Sequence, residues 1–526
     1  MNRLTSFIKK PIPLIIYSVI LSSLNLIFYN IPFFKFVVSH CEGSVVYIVA
    51  SLVVLMIVVN AFAIMLLVRL TRWVGRSLIC IANILSSAGV FFAFTYGTIL
   101  DEAMMSCFFN TRPSEASGFI TIGLIFYIII FGILPSLWLF LQNIKLGSWR
   151  NWFISLSTSL GICIIVILVN LNNFLWIGKY DTELGGLLMP WSYVVNSCRL
   201  AIHHHNQNQK AIPLPDGQFT DSTRTAVILV IGESARADHF QLYGYNRTTN
   251  PRLSARDDIN VIRANSNYTY TTAAVKCILQ PNDESDLYET LPDYLLRMGA
   301  DVSWRTSNWG EPPLHIKEYQ TLAKLAEEYD IENSGFDEIL VTGLTERIAS
   351  SDKDKVFIVL HTSTSHGPCY DSKYPDNWRI FRPVARDVES ADKDIPGLTN
   401  AYDNTILYTD FLIDTIISQL ETLKEWETSL IYISDHGESL GENKVFMHGV
   451  PRSMAPAAQY EIPLLVWLSH NNSFKVRDFD EPVNQTYIFS TILTLTSMES
   501  PALTQERSLV SSCKDTNKNQ NSQIQK

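Results

Sequence analysis

Apolar positions along this chain fall into two regimes. Up to about residue 171 they gather into five long runs, 13–34, 45–70, 77–100, 119–141 and 152–171. Each approaches or exceeds the roughly 20 residues that cross a bilayer as a helix. From about residue 225 the runs shorten to strand length. TAVILVI at 225–231 and the run at 356–360 are near-continuous apolar stretches, the pattern of a parallel strand buried on both faces. Residues 302–305, 429–434 and 462–468 read as further strands. Between them the spacing turns helical. Ile413, Ile416, Ile417 and Leu420 fall at i, i+3, i+4 and i+7, and 290–297 carries Pro292 in its first turn with Gly299 as its stop. Strand and helix alternate, which predicts a mostly parallel sheet with helices on both faces.

Between the two regimes the pattern loses its period. Residues 189–202 are expected as a helix lying on the bilayer, with Trp176, Tyr180, Trp191 and Tyr193 at the membrane interface. Adjacent histidines diverge in direction, so His203, His204 and His205 read as a solvated hinge and not as a metal site. Residues 210–222, with two prolines and a glycine, continue it as a linker. The expected organisation is a five-helix transmembrane domain at 1–175, an interfacial helix and linker at 176–222, a soluble α/β domain at 223–513 and a disordered polar tail at 514–526.

Composition sharpens this. Of 526 residues 47% are hydrophobic and only 17% charged, and the charges crowd beyond residue 200. The net charge of -10 argues against a nucleic-acid-binding role, where a basic face is expected. The first run has no small-residue cleavage site and is read as an anchor. Lys9, Lys10, Arg69, Arg72, Arg76, Lys145 and Arg150 fall in the N-terminal segment and alternate loops, against only Lys35 and Arg112 in the others. The positive-inside rule then puts the N-terminus in the cytoplasm and everything after the fifth run outside it. Asn25, Asn30, Asn60 and Asn83 lie in or near apolar runs, where interhelical hydrogen bonding is their commoner use. The loop 101–118, with Asp101, Glu102, Asn110 and Glu115, faces outward; it is read as solvated, with a headgroup path as the functional alternative.

Candidate chemistry sits at strand ends, where open α/β sheets collect ligands. The strand at 225–231 runs into Gly232 and Glu233; the one at 429–434 runs into Asp435 and His436, with His448 following. Carboxylate and imidazole are ligands that Zn²⁺ accepts. An N-capping Asp in a turn is the plain alternative. At 269–277, TYTTAAVKC, hydroxyls precede an apolar run that opens a helix, a place for a nucleophile or for simple capping.

Four motifs carry a resemblance: GESARADHFQLYGYNRTTNPRLS, HTSTSHGPCYDSKYP, AYDNTILYTDFLID and DHGESLGENKVFMHGVP. Together, in this order, they resemble those of the bacterial phosphoethanolamine transferases, members of the alkaline phosphatase and sulfatase superfamily. The likeness covers about residues 223–495, and the number of apolar runs agrees with it. It implies a sulfatase-like catalytic domain and a Zn²⁺ held by Glu233, Thr271, Asp435 and His436, with a second zinc conceivable. Thr271, six residues before Cys277, is the implied nucleophile and Thr272 the fallback; His366 and His448 are the implied phosphate or second-metal histidines. The implied reaction takes phosphoethanolamine from phosphatidylethanolamine, through a phosphothreonine-type intermediate, to a lipid A phosphate or core sugar. It places the protein in the bacterial inner membrane, as a monomer, with its catalytic domain in the periplasm. Relatives bridge the nucleophile loop with a disulfide, but Asn267 stands where its first cysteine belongs, leaving Cys277 unpaired. The segment 305–311, RTSNWGE, departs from an Asn-rich stretch that ends near a substrate-site lysine. Rival readings are a phosphoglycerol transferase or sulfatase of the same superfamily and, from another class, a non-catalytic membrane scaffold.

Overall fold

The computed structural model describes residues 11–41, 44–110, 116, 119–170, 177, 180–207, 211–284, 286–385 and 394–513. The expectations for Lys9, Lys10, Arg112, Glu115, Trp176 and the tail 514–526 lie outside these residues, as does the expected boundary at 175. Two compact units emerge, Met1–His203 and His204–Lys526.

Among the described residues of the first unit four helices are long and apolar enough to cross a membrane: Val45–Thr71, Trp73–Thr95, Ile122–Phe140 and Trp149–Val169. The first expected span is broken. It forms two helices, Leu14–Tyr29 and Ile31–His40, bent by 67°. The cause is Pro32, in the first turn of the second piece, which has no N–H to donate and whose ring would meet the carbonyl of Phe28 in a continuous helix. Counted as one, the bent pair makes five spans. The third span ends at Thr95, short of the expected residue 100, because Gly97 takes a positive φ of 70°. The loop beyond it is not simply solvated: Asp101 is buried and accepts from Met104 N (2.8 Å) at the start of the helix Glu102–Asn110.

The asparagines do bond between helices. Asn30 Nδ2 donates to Asn25 Oδ1 (3.0 Å) and to Met189 O (3.1 Å), and Met189 N donates back to Asn30 Oδ1 (3.0 Å). Asn60 Nδ2 donates to Asn25 Oδ1 (3.1 Å), and Asn83 Nδ2 to Ser136 Oγ (3.3 Å). Trp191 and Tyr193, expected at a membrane interface, spend their polar ends on other helices. The indole N–H bonds Asn60 Oδ1 (2.8 Å) and the phenol bonds Ala82 O (2.9 Å). The helix Trp191–Gln207 also runs through His203–His205, so the expected hinge is helical; the segment has neither glycine nor proline to stop it.

The second unit is built on one eight-stranded sheet. Its strands are β1 Thr225–Gly232, β2 Ile259–Asn265, β3 Asp301–Thr306, β4 Glu318–Thr321, β5 Lys355–His361, β6 Glu427–Ser434, β7 Glu461–Leu468 and β8 Val483–Asn484. The order across the sheet is β8-β2-β7-β6-β1-β5-β3-β4, and β7 alone runs antiparallel to its neighbours. Strands β1 and β5 are buried along their whole length, as their unbroken apolar runs require. The expected linker is not free: Gln218–Phe219 pairs with Met498–Glu499, Ile212 exchanges bonds with Leu287 and Glu289, and Leu214 joins the core.

Register sets the site. Gly232 lies opposite Ser434, Ile231 opposite His361 and Thr306 opposite His361, so β1, β3, β5 and β6 finish level at their carboxyl ends. Gly232 is needed there, since a Cβ would run into the Tyr432 hydroxyl. Helix α1, Thr271–Leu279, begins above this edge, and the buried helix α2, Ile395–Leu420, packs beneath its loops. Tyr402 of α2 donates to Ser234 O (2.7 Å) and accepts from Arg236 N (3.0 Å), fixing the chain just past β1.

Candidate metal and nucleophile site

The level strand ends bring Glu233, Asp435 and His436 together, fully buried, and ligand atoms of the three lie within 4.8 Å of one another. Thr271 opens α1 with its hydroxyl facing them: Oγ1 is 3.4 Å from Glu233 Oε2 and 3.3 Å from His436 Nε2. Thr272, one residue on, is partly exposed. His436 Nε2 also lies 3.2 Å from Asp435 Oδ2 and 3.4 Å from Glu233 Oε1.

Its other ring nitrogen decides what Nε2 can do. His436 Nδ1 is 2.9 Å from Gly437 O, an acceptor only, so Nδ1 carries a proton and Nε2 is the nitrogen that faces the two carboxylates. Two carboxylates so close repel one another unless positive charge lies between them. Asp435 Oδ2 gives the same signal, being a buried oxygen without a hydrogen-bond partner among the described residues. Burial, and then the charge of Glu233, pushes the Asp435 carboxyl well above the usual carboxylate range. Burial acts on Glu233 in the same sense, but His436, His366, His448 and the Asn308 amide outweigh it and hold that carboxyl well below the range. Two oxygens and an imidazole nitrogen beside a hydroxyl fit a borderline divalent cation such as zinc.

His448 and His366 stand across the site. The His448 ring lies 4.3 Å from that of His436 and 5.4 Å from that of His366. Glu233 with His366 and His448, and His436 with Glu438 and His448, form two further sets of the same 4.8 Å compactness. Glu438 orients His448 through Nδ1 (2.8 Å) and takes the Tyr370 hydroxyl (2.5 Å) on its other oxygen. Burial pushes the Glu438 carboxyl up to about 7, against the pull of the Tyr370 bond and of His436 and His366.

Several site residues escaped the sequence reading. Asn308 Nδ2 donates to Glu233 Oε2 (2.7 Å) and to Thr362 O (2.9 Å) from the segment where the family pattern is lost. Ser234, at φ +54°, donates its N–H to Asp435 Oδ1 (3.0 Å) and its hydroxyl to Glu233 Oε1 (2.7 Å). That strained turn joins the two carboxylates, and its only sequence signal is its place after Glu233. Cys277 is a buried free thiol, as expected. The loop before Thr271 is held by other contacts: Asn267 Nδ2 and the Tyr268 hydroxyl both bond Asp283 (2.8 Å each), Thr269 Oγ1 bonds Val450 O (2.7 Å) and Ser266 Oγ bonds Asp435 O (2.6 Å).

Residues 225–498 match the sulfatase family model, and residues 56–205 match the model described as phosphoethanolamine transferase EptA/EptB. A Helicobacter pylori protein named phosphoethanolamine transferase EptA is 35% identical over 491 residues, 91% of this chain and 92% of that one. A Salmonella typhimurium protein named Kdo(2)-lipid A phosphoethanolamine 7''-transferase is 28% identical over 276 residues, 47% of this chain and 45% of its own. Among solved structures, the integral membrane lipooligosaccharide phosphoethanolamine transferase A of Neisseria meningitidis superposes with a TM-score of 0.83 at 25% identity, covering 94% of this chain and 98% of that one.

Proposed function

The chain belongs to the phosphoethanolamine transferases of the EptA type, and from that membership we infer that it transfers phosphoethanolamine to lipid A. It is a multi-pass membrane protein of the bacterial inner membrane, and the sulfatase-like unit at about 223–513 does the chemistry. The readings as phosphoglycerol transferase, sulfatase or scaffold are not favoured by these relatives.

In our reading the donor is phosphatidylethanolamine and the nucleophile is Thr271. The observation that carries it is the Thr271 hydroxyl, within 3.4 Å of both Glu233 Oε2 and His436 Nε2 at the head of a helix. Glu233, Asp435, His436 and Thr271 would hold a zinc ion, whose charge lowers the pKa of the hydroxyl. Thr271 Oγ attacks phosphorus; a bond to threonine forms, the bond to diacylglycerol breaks, and the threonine proton ends on the departing alkoxide. A phosphate oxygen of lipid A, or a core hydroxyl, then attacks the phosphothreonine and frees Thr271. His448, its Nδ1 fixed by Glu438, presents its far nitrogen to this chemistry, and with His366 it moves the proton and neutralises phosphate charge. All these residues come from one chain, so a monomer suffices. The lipid reactants explain the membrane unit, which keeps the enzyme on the surface that holds both. We place the catalytic unit in the periplasm.

The test is a mass spectrum of the lipid A fraction from cells with and without the protein. Addition of one phosphoethanolamine unit only in cells that carry it is expected; an unchanged spectrum alongside full expression would overturn the assignment of acceptor.

A further inference from the structure

One buried carboxylate near the site is used by no step above. Asp337 opens the short 3₁₀ turn Asp337–Val341 and is 3% exposed. Its Oδ1 accepts from the Ser307 hydroxyl; its Oδ2 accepts from Ser363 N (3.1 Å) and from the Thr364 hydroxyl. These donors lie on the two loops that leave the adjacent strands β3 and β5. A carboxylate buried only to fill space would be poorly chosen, because it must recruit a donor for each oxygen. Here it recruits them from two segments, and both lead to the site.

Ser307 directly precedes Asn308, whose amide bonds Glu233 Oε2. Ser363 and Thr364 begin the turn closed by His366 N donating to Ser363 O (3.2 Å), which sets where the His366 ring emerges. We propose that Asp337 is a positioning residue: by tying the β3 loop to the β5 loop it sets Asn308 against Glu233 and aims His366 at the nucleophile. The proposal rests on the functional reading above and adds to it the device that holds two of its side chains in register. Carboxylates that position metal ligands through an intermediary typically change affinity or activity ten- to a hundredfold when removed.

The two arms can be cut separately in the full-length protein. Ser307→Ala frees the arm to Asn308, and zinc affinity, titrated against a chelator, should fall about tenfold. Thr364→Val frees the arm to His366; zinc content should be unchanged, while kcat falls about tenfold with KM for the donor near wild type. Asp337→Ala should combine both losses. Asp337→Asn should restore most of each, since its amide can donate to Ser307 Oγ while its carbonyl accepts from Ser363 and Thr364. Wild-type zinc affinity and kcat in both single-arm variants would overturn the proposal. So would an Asp337→Ala protein whose activity falls only in proportion to its folded fraction by thermal melt. A wild-type protein that bound no zinc and transferred nothing would sink the functional reading itself, an outcome distinct from these.

Discussion

At the scale of the residue, Thr271 and Thr272 are the same chemistry one position apart, and only geometry separates them. Thr271 Oγ1 faces Glu233 and His436, while Thr272 looks partly outward. Thr271→Ala should bring transfer to background by lipid mass spectrometry with an unchanged melting temperature, and Thr272→Ala should keep activity. Activity surviving the first and lost in the second would exchange their roles. The carboxylates allow a sharper forecast. Asp435→Asn removes a ligand charge, so metal content should drop with a loss in zinc affinity of more than tenfold, the least expected when even an outer partner of a ligand is lost. It also removes a carboxyl whose ionised form burial and Glu233 disfavour, so at a pH high enough to ionise that carboxyl the metal-stripped variant should melt above the metal-stripped wild type. A variant that holds full zinc, or melts lower when stripped, would show that Asp435 is not paired with a cation. The sequence made Glu233, Asp435 and His436 legible because each directly follows a buried strand. It could not show Asn308 or Ser234. Their contacts depend on the register of β3 against β5 and on a left-handed backbone turn, neither of which leaves a mark in residue type.

At the scale of the element, the strands were the readable part and the breaks were not. Unbroken apolar runs announce β1 and β5, and the i, i+3, i+4, i+7 spacing announces the end of α2. Hydropathy counts length but is blind to bending, so the 13–34 run hid the 67° break that Pro32 imposes. Likewise the strand 461–468 gives no sequence sign that it runs against its neighbours, since burial on both faces looks alike in either direction. Helix α2 itself yields a pH forecast. Asp410 is wholly buried on it and accepts from Leu253 N and Arg252 N (3.0 Å each), capping the turn at 253–255. Burial pushes its carboxyl from the ordinary 3.8 up to about 7. The folded state therefore holds a proton that the unfolded chain gives up. The stability this contributes is full below about pH 4 and is lost as pH rises through about 7, with an upper bound of about 4 kcal/mol. Asp410→Asn cannot titrate. The melting temperature of the wild type minus that of the variant should thus fall between pH 5 and pH 8; an equal difference at both would refute the shift.

At the scale of the whole molecule, function depends on which side of the membrane the sheet unit occupies. Loop parity alone groups the cations Arg69, Arg72, Arg76, Lys145 and Arg150, and the membrane unit brings their segments physically together. Arg69 Nη1 bonds the carbonyls of Leu146 and Gly147 (2.9 Å each) and its guanidinium lies 4.2 Å over the Trp149 ring. Ile12 pairs with Ile144, so the chain just after the N-terminal segment meets the same loop. One end of the bundle thus carries the basic residues, and cytoplasmic loops are the ones enriched in Lys and Arg. With the bent pair counted as one span there are five, and on our proposal of a cytoplasmic N-terminus an odd number places the sheet unit on the opposite side. A secreted phosphatase, active only outside the cytoplasm, should therefore be active when fused after Ser222 and silent when fused after Arg76. The reverse pattern would leave Glu233, Thr271, Asp435 and His436 in the cytoplasm. Lipid A modification would then have to be abandoned for this chain, even if the zinc site proved real, because the nucleophile and its acceptor would lie on opposite sides of the bilayer.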